Sequence, residues 1–161
     1  MFRWRTTIAA TVALCGLAVT AFWAGWPAAD ADALTVVSAQ GRVHGAGSAP
    51  FGIASAGKGP KGLYPGVARD LPLMLRNPNE FPITVQTLGG EVTATSKRKC
   101  QPSRANVIVK AYTGRLPLVV PARSSVRVGS LPLAMPRDAS RDCAGVAFTI
   151  RLKGTARKGL R

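Results

Sequence analysis

The stretch LMLRNPNEFPITVQ, residues 73–86, decides the fold. Upstream of its polar centre Leu71, Leu73 and Leu75 alternate with other residues, and downstream Ile83 and Val85 do the same. A period of two on both sides predicts two half-buried strands, not a helix. Asn77, Pro78 and Asn79 between them suit a tight turn. Pro78 pre-sets the backbone angle such a turn needs, and the Asn77 side chain can accept a bond from the backbone two residues on. Phe81 precedes Pro82 and is held extended. With only Glu80 nearby to supply charge, the asparagines read as turn residues and not as metal ligands, because hard cations want several carboxylates.

The same pattern recurs outward from this point. FGIASAG (51–57), EVTATS (91–96), NVIVKAY (106–112), LPLVVP (116–121) and SSVRVGSL (124–131) are short candidate strands bounded by glycine, proline or polar turns. AGVAFTIRLKG (144–154) is the longest, with Val146, Phe148, Ile150 and Leu152 on one face and Thr149, Arg151 and Lys153 on the other. PLAMPRDASRDC (132–143) has little β character and reads as a loop or a single helical turn. About seven short strands at this spacing predict an all-β fold of the sandwich or barrel type.

The amino end is different. Residues 6–26 carry no charge, Arg3 and Arg5 precede them, and two A-x-A sites follow at 29–31 and 31–33. This is the layout of a secretory signal peptide, although the apolar run exceeds the usual ~7–15 residues. A run of ~20 apolar residues is also long enough to span a bilayer uncut as a hydrophobic helix. Both readings of residues 1–33 stay open, and both put the remainder outside the cytoplasm. Residues 34–39 read as a strand or the start of a stalk. Residues 34–50 as a whole are rich in glycine and alanine and read as a linker. Residues 51–156 then form the β-domain and 157–161 a basic tail.

Export bears on the cysteines. Beyond Cys15 in the leader there are two, Cys100 and Cys143, and in an oxidising compartment such a pair reads as a disulfide. The alternative is a reactive thiol at Cys100, whose thiolate the preceding Lys97, Arg98 and Lys99 would favour. A zinc site is not supported, since the single histidine, His44, lies far from both.

The net charge is +15. Arg3 and Arg5 cancel Asp30 and Asp32 within the leader, so the whole excess belongs to residues 34–161. Two groups stand out. One is Lys97, Arg98 and Lys99, and the other is a carboxy-terminal ribbon of Arg151, Lys153, Arg157, Lys158 and Arg161. They imply contact with anionic envelope polymers or a membrane surface, or simply a solvated face. Nucleic acid is a poorer match, because no aromatic platform is interleaved with these cations. The chain also lacks a nucleophile–base–orienter set, a phosphate loop and paired acids, so no enzyme or cofactor is expected. A structural or interaction role, with an envelope protein as another possible partner, is the expectation.

Four segments together resemble a known group. GLYPG (62–66), LPLMLRNPNEFPITVQTL (71–88), YTGRLPLVVPARSS (112–125) and DCAGVAFTIRLKGTA (142–156) are similar in order and kind to small exported Ig-like sandwich proteins of high-GC Gram-positive bacteria. The resemblance implies an Ig-like β-sandwich and export, and no particular activity. The chain departs from it in its strong basicity and in Gly89-Gly90, which interrupts a strand where β-branched residues would continue.

Overall fold

The computed structural model describes residues 35–37 and 39–159, with side chains from Ala39 onward. The expected leader, residues 1–33, and Arg161 of the ribbon lie outside the described residues. Nine strands follow in order: β1 Thr35–Val37, β2 Ala39–His44, β3 Phe51–Ser55, β4 Ala68–Arg76, β5 Ile83–Thr95, β6 Ile108–Val109, β7 Leu118–Val120, β8 Ser125–Ala134 and β9 Phe148–Lys158. A single 3-10 turn, Arg141–Cys143, precedes β9. The described residues contain no α-helix, and the all-β expectation holds.

The strands hydrogen-bond along one path, β6-β8-β4-β3-β2-β9-β5-β7, with β1 also lying on β9. The path turns at β2. Ala39, Gln40 and Gly41 pair antiparallel with β3, whereas Arg42, Val43 and His44 pair parallel with β9. One short strand thus belongs to both halves of a curled sheet. The inward positions of the two halves meet in one core. Leu71, Leu73 and Leu75 of β4 and Leu131 and Leu133 of β8 come from one half, and Ile83 and Val85 of β5 with Phe148, Ile150 and Leu152 of β9 from the other. Each such side chain, fully withdrawn from water, contributes about 1.5–3 kcal/mol.

Three expectations need correcting. The stretch 34–50 is not a linker throughout, because Thr35–Val37 and Ala39–His44 are strands and only the part after His44 is loop. Its small residues hide a real alternation: Gly41 is buried, Val43 is half-buried, and Arg42 and His44 are exposed. The basic tail is likewise partly strand. Arg157 and Lys158 belong to β9, since β5 offers ladder partners at Thr84 and Ile83 and β2 pairs His44 with Arg157. Finally, β5 runs through Gly89-Gly90 unbroken, with register shifts on either side, between Val85 and Thr87 and between Val92 and Ala94. The two glycines interrupt the side-chain pattern but not the ladder.

The polar centre of the opening stretch has a larger task than joining neighbours. β4 pairs with β3 and β8, and β5 with β9 and β7, so the two strands are not partners and the turn crosses between the halves. Asn77 and Asn79 are both buried there. The Asn77 amide donates to the carbonyls of Phe81, Val120 and Pro121 at 2.9, 3.2 and 3.0 Å. Its Oδ1 accepts from the backbone N–H and the side-chain amide of Asn79, both at 3.0 Å. Asn79 in turn exchanges two bonds with the backbone of Ala49, at 2.8 and 3.0 Å. Three loops are held by two amides, which satisfies polar groups that would otherwise be buried unpaired.

Candidate functional site

β9 positions most of the ribbon. Its inward residues Phe148, Ile150, Leu152 and Ala156 are buried, so the strand's period of two turns Arg151, Lys153 and Arg157 outward. These three lie on one face, and Arg151 and Arg157 are ~20 Å apart along the strand. The parallel register with β2 sets Arg42 opposite Thr155 and His44 opposite Arg157 on the same face. On the other side, β5 places Glu91 opposite Arg151, and the Lys153 ammonium reaches this carboxylate at 3.1 Å. Among the described residues Arg42, Arg151 and Arg157 form no ion pair.

Threonines lie between the cations. Thr87 and Thr155 face each other with their hydroxyls 2.7 Å apart, and the Thr155 N–H donates to Thr87 Oγ1 at 3.1 Å. Here the register of β5 shifts, and the hydroxyl takes the place of a backbone carbonyl. A groove of about 420 Å³ lies over this point, bordered by Gln40, Arg42, Thr87, Gly89, Lys153 and Thr155. Gly89 leaves it open, because a Cβ there would meet nothing within 4 Å.

Lys158 does not join this face. It lies opposite Ile83, and its ammonium sits 4.4 Å from the centre of the Phe81 ring. Nor do Lys97, Arg98 and Lys99. They occupy the loop after β5, at the end of the sheet where β9 begins, as the Ser96 N–H bond to the Ala147 carbonyl at 2.9 Å shows.

That end is a second basic region. The β5–β6 loop carries Lys97, Arg98, Lys99 and Arg104, the β8–β9 loop Arg137 and Arg141, and the β3–β4 loop Lys58 and Lys61. The three loops are fastened together. Cys100 and Cys143 form the expected disulfide, with Cα atoms 5.0 Å apart and both residues buried. The Ser140 N–H donates to Asn106 Oδ1 at 3.1 Å, and the Gly66 N–H to the Met135 carbonyl at 2.9 Å. The pairing rules out the reactive-thiol alternative for the bonded protein.

Sequence reasoning missed Arg42, Lys58, Lys61, Arg104, Arg137 and Arg141 as members of these regions. Arg42 lay in a stretch read as linker, and only the parallel register reveals its neighbours. The loop cations are far apart in the chain, and the topology alone brings them to one end. The five acids of the domain stay dispersed: Glu80 pairs with Arg123 at 2.6 Å and Glu91 with Lys153. Among the described residues no three metal-ligating side chains come together.

Comparison of the chain with protein-family models, with curated proteins and with solved structures finds no match.

Proposed function

We propose that the protein is an exported, non-enzymatic module of the cell envelope that holds anionic polymer along the outer face of β2, β9 and β5. One observation carries the reading: Arg42, Arg151, Lys153 and Arg157 share this face, with Glu91 the one acid set among them. Cations at a spacing of two residues along a strand match the repeated charges of an extended polyanion. The threonine hydroxyls between them supply hydrogen bonds of either sense. The interaction is largely electrostatic, so specificity for one polymer backbone is low.

The fold reading that accompanies this is an Ig-like sandwich. It is supported by two facing halves, β3, β4, β8 and β6 against β9, β5 and β7, and by the crossing of the chain between them at the asparagine turn. The resemblance described above and the apolar leader support export. A purely structural or protein-binding role is the second reading, favoured by the groove at Gly89, whose border is not wholly charged.

The test is retention of the exported protein on immobilised polyphosphate and on envelope material, with a variant combining R42E, R151E and R157E. The three side chains are exposed and unpaired, so the variant keeps the fold. Wild-type retention should fall steeply between low salt and about 1 M, where screening shortens to ~3 Å, and the variant should be released at clearly lower salt. Equal retention of both proteins would sink the reading. Retention that survives high salt would favour the protein-binding role.

A further inference from the structure

The two ends of the sheet differ sharply in charge. At the disulfide end, loops 56–67, 96–107 and 135–147 hold eight basic residues against two acidic ones, Asp138 and Asp142. At the opposite end, loops 45–50, 77–82 and 121–124 hold one of each, Arg123 and Glu80, which are paired with each other, and the adjoining strand ends add Arg76, Arg157 and Lys158. The disulfide-end loops are also more than twice as long as those opposite, so most of the loop charge gathers there. It marks one end of the domain as the one that meets an anionic surface.

The path of the chain says which surface. β1 begins at Thr35, which pairs with Thr149, the second residue of β9. The chain therefore enters the fold at the disulfide end. The uncharged stretch of residues 6–26 precedes this point by only eight residues, 27–34, whose contour is at most ~28 Å. If that stretch stays in a bilayer, the end of the domain held nearest the lipid is the one with the eight cations. The link is too short for the domain to present its opposite end instead, as β9 alone is ~33 Å long.

We infer that the disulfide end is a membrane-docking surface for anionic phospholipid, on which the domain stands with β9 running away from the bilayer. The inference rests on the uncut, membrane-anchored reading of residues 1–33 and not on the polymer reading of the sheet face. Its parts fit the task. The cations sit on loops that the Cys100–Cys143 bond and the Asn106–Ser140 contact hold in place, so ordering them on the surface costs little chain entropy. Beneath them Leu63, Val107, Met135 and Val146 are buried, and Tyr64 and Ile108 are exposed beside the cations. Each Lys or Arg within a Debye length of an anionic leaflet strengthens the association several-fold. The upright pose also gives the sheet face its reach: Arg151 lies near the lipid and Arg157 ~20 Å further out.

The experiment uses the full chain in vesicles of phosphatidylcholine alone and in vesicles where phosphatidylglycerol replaces part of that lipid. Amines are acetylated with a membrane-impermeant reagent and read residue by residue by peptide mass spectrometry. Lys97 and Lys99 should react at least about threefold more slowly in the anionic vesicles. Lys158 at the far end should be unchanged, and about 1 M salt should remove the difference. Equal rates at Lys97 and Lys99 in both vesicles would overturn the proposal, as would equal protection of Lys158, which means a domain lying flat. In the K97E/R98E/K99E variant, altered only on exposed loop positions, the lipid-dependent protection of Lys58 should disappear, and its persistence would also overturn the proposal. A separate arm in non-ionic detergent, with polyphosphate added, reads Lys153. Failure of that arm strikes the sheet-face reading alone.

Discussion

Gly41 lies directly opposite Phe51 across the β2–β3 ladder, and the buried Phe51 ring occupies the space that a side chain at position 41 would need. This is also where β2 leaves β3 for β9, since Arg42 is the first residue paired on the other side. The corner of the curled sheet is thus filled by its neighbour's ring. The G41V variant should lose about 2–3 kcal/mol, the cost of overpacking a filled site. In urea unfolding, combining it with F51A should cost less than the sum of the two single changes, because the deleted ring makes room. Strict additivity would mean that the two residues do not share this space.

The Asn77 amide faces three carbonyls and makes the buried link between the halves. N77A strands those groups and should cost about 2–4 kcal/mol. N77D keeps the shape but turns the donor into an acceptor, so it should be at least as harmful at neutral pH. Its carboxyl must hold a proton to donate, which raises its folded-state pKa above the unfolded ~3.9. The N77D deficit therefore grows as pH rises from about 4 and shrinks as pH falls towards that value. Thermal melts across this range check the sign.

The Cys100–Cys143 bond closes a segment with a sequence separation of 43. Replacing both cysteines by alanine should lower stability by about 3–4 kcal/mol. The loss should be felt first at the loops of the disulfide end. Trypsin should then cut after Arg98 or Lys99 at concentrations that leave the bonded protein intact. Unchanged cleavage would mean that the Asn106–Ser140 and Gly66–Met135 contacts hold the loops alone.

Intact-mass measurement of the protein recovered outside the cytoplasm checks the leader. A chain beginning at Asp32 or Leu34 identifies a signal peptide, and an uncut chain in the membrane fraction an anchor. The membrane-docking inference expects the uncut form. Recovery from the cytosol would contradict export itself.

Burial was far more legible in the sequence than partnership. Leu71, Leu73 and Leu75, and Phe148, Ile150 and Leu152, announce their strands by alternation, and all six are buried. Alternation says which side of a strand faces inward but is silent on which strand lies beside it. Nothing in residues 73–86 shows that β4 and β5 belong to different halves. β2 was hidden for another reason: Gly41 and its small neighbours look like linker because the apolar bulk at that site comes from Phe51. The ribbon on β9 could be read because its cations share a strand. Arg42 could not, because its place depends on pairing with the other end of the chain. Only part of each basic region was visible in runs of adjacent residues.

The parallel pairing of β1 and β2 with β9 has a consequence for how such a chain is made. β1 finds its ladder partner, and β2 one of its two, only in β9, which also supplies the main neighbour of β5. A polypeptide threaded through a membrane amino end first cannot complete that half of its sheet until β9 has cleared the pore. Contacts so distant in sequence close slowly. On the export reading, the half of the sheet built on β9 should therefore close last, after β3, β4, β8 and β6 have paired. This ordering leaves the amino-terminal strands loose while they are threaded and makes β9 the strand that closes the sheet.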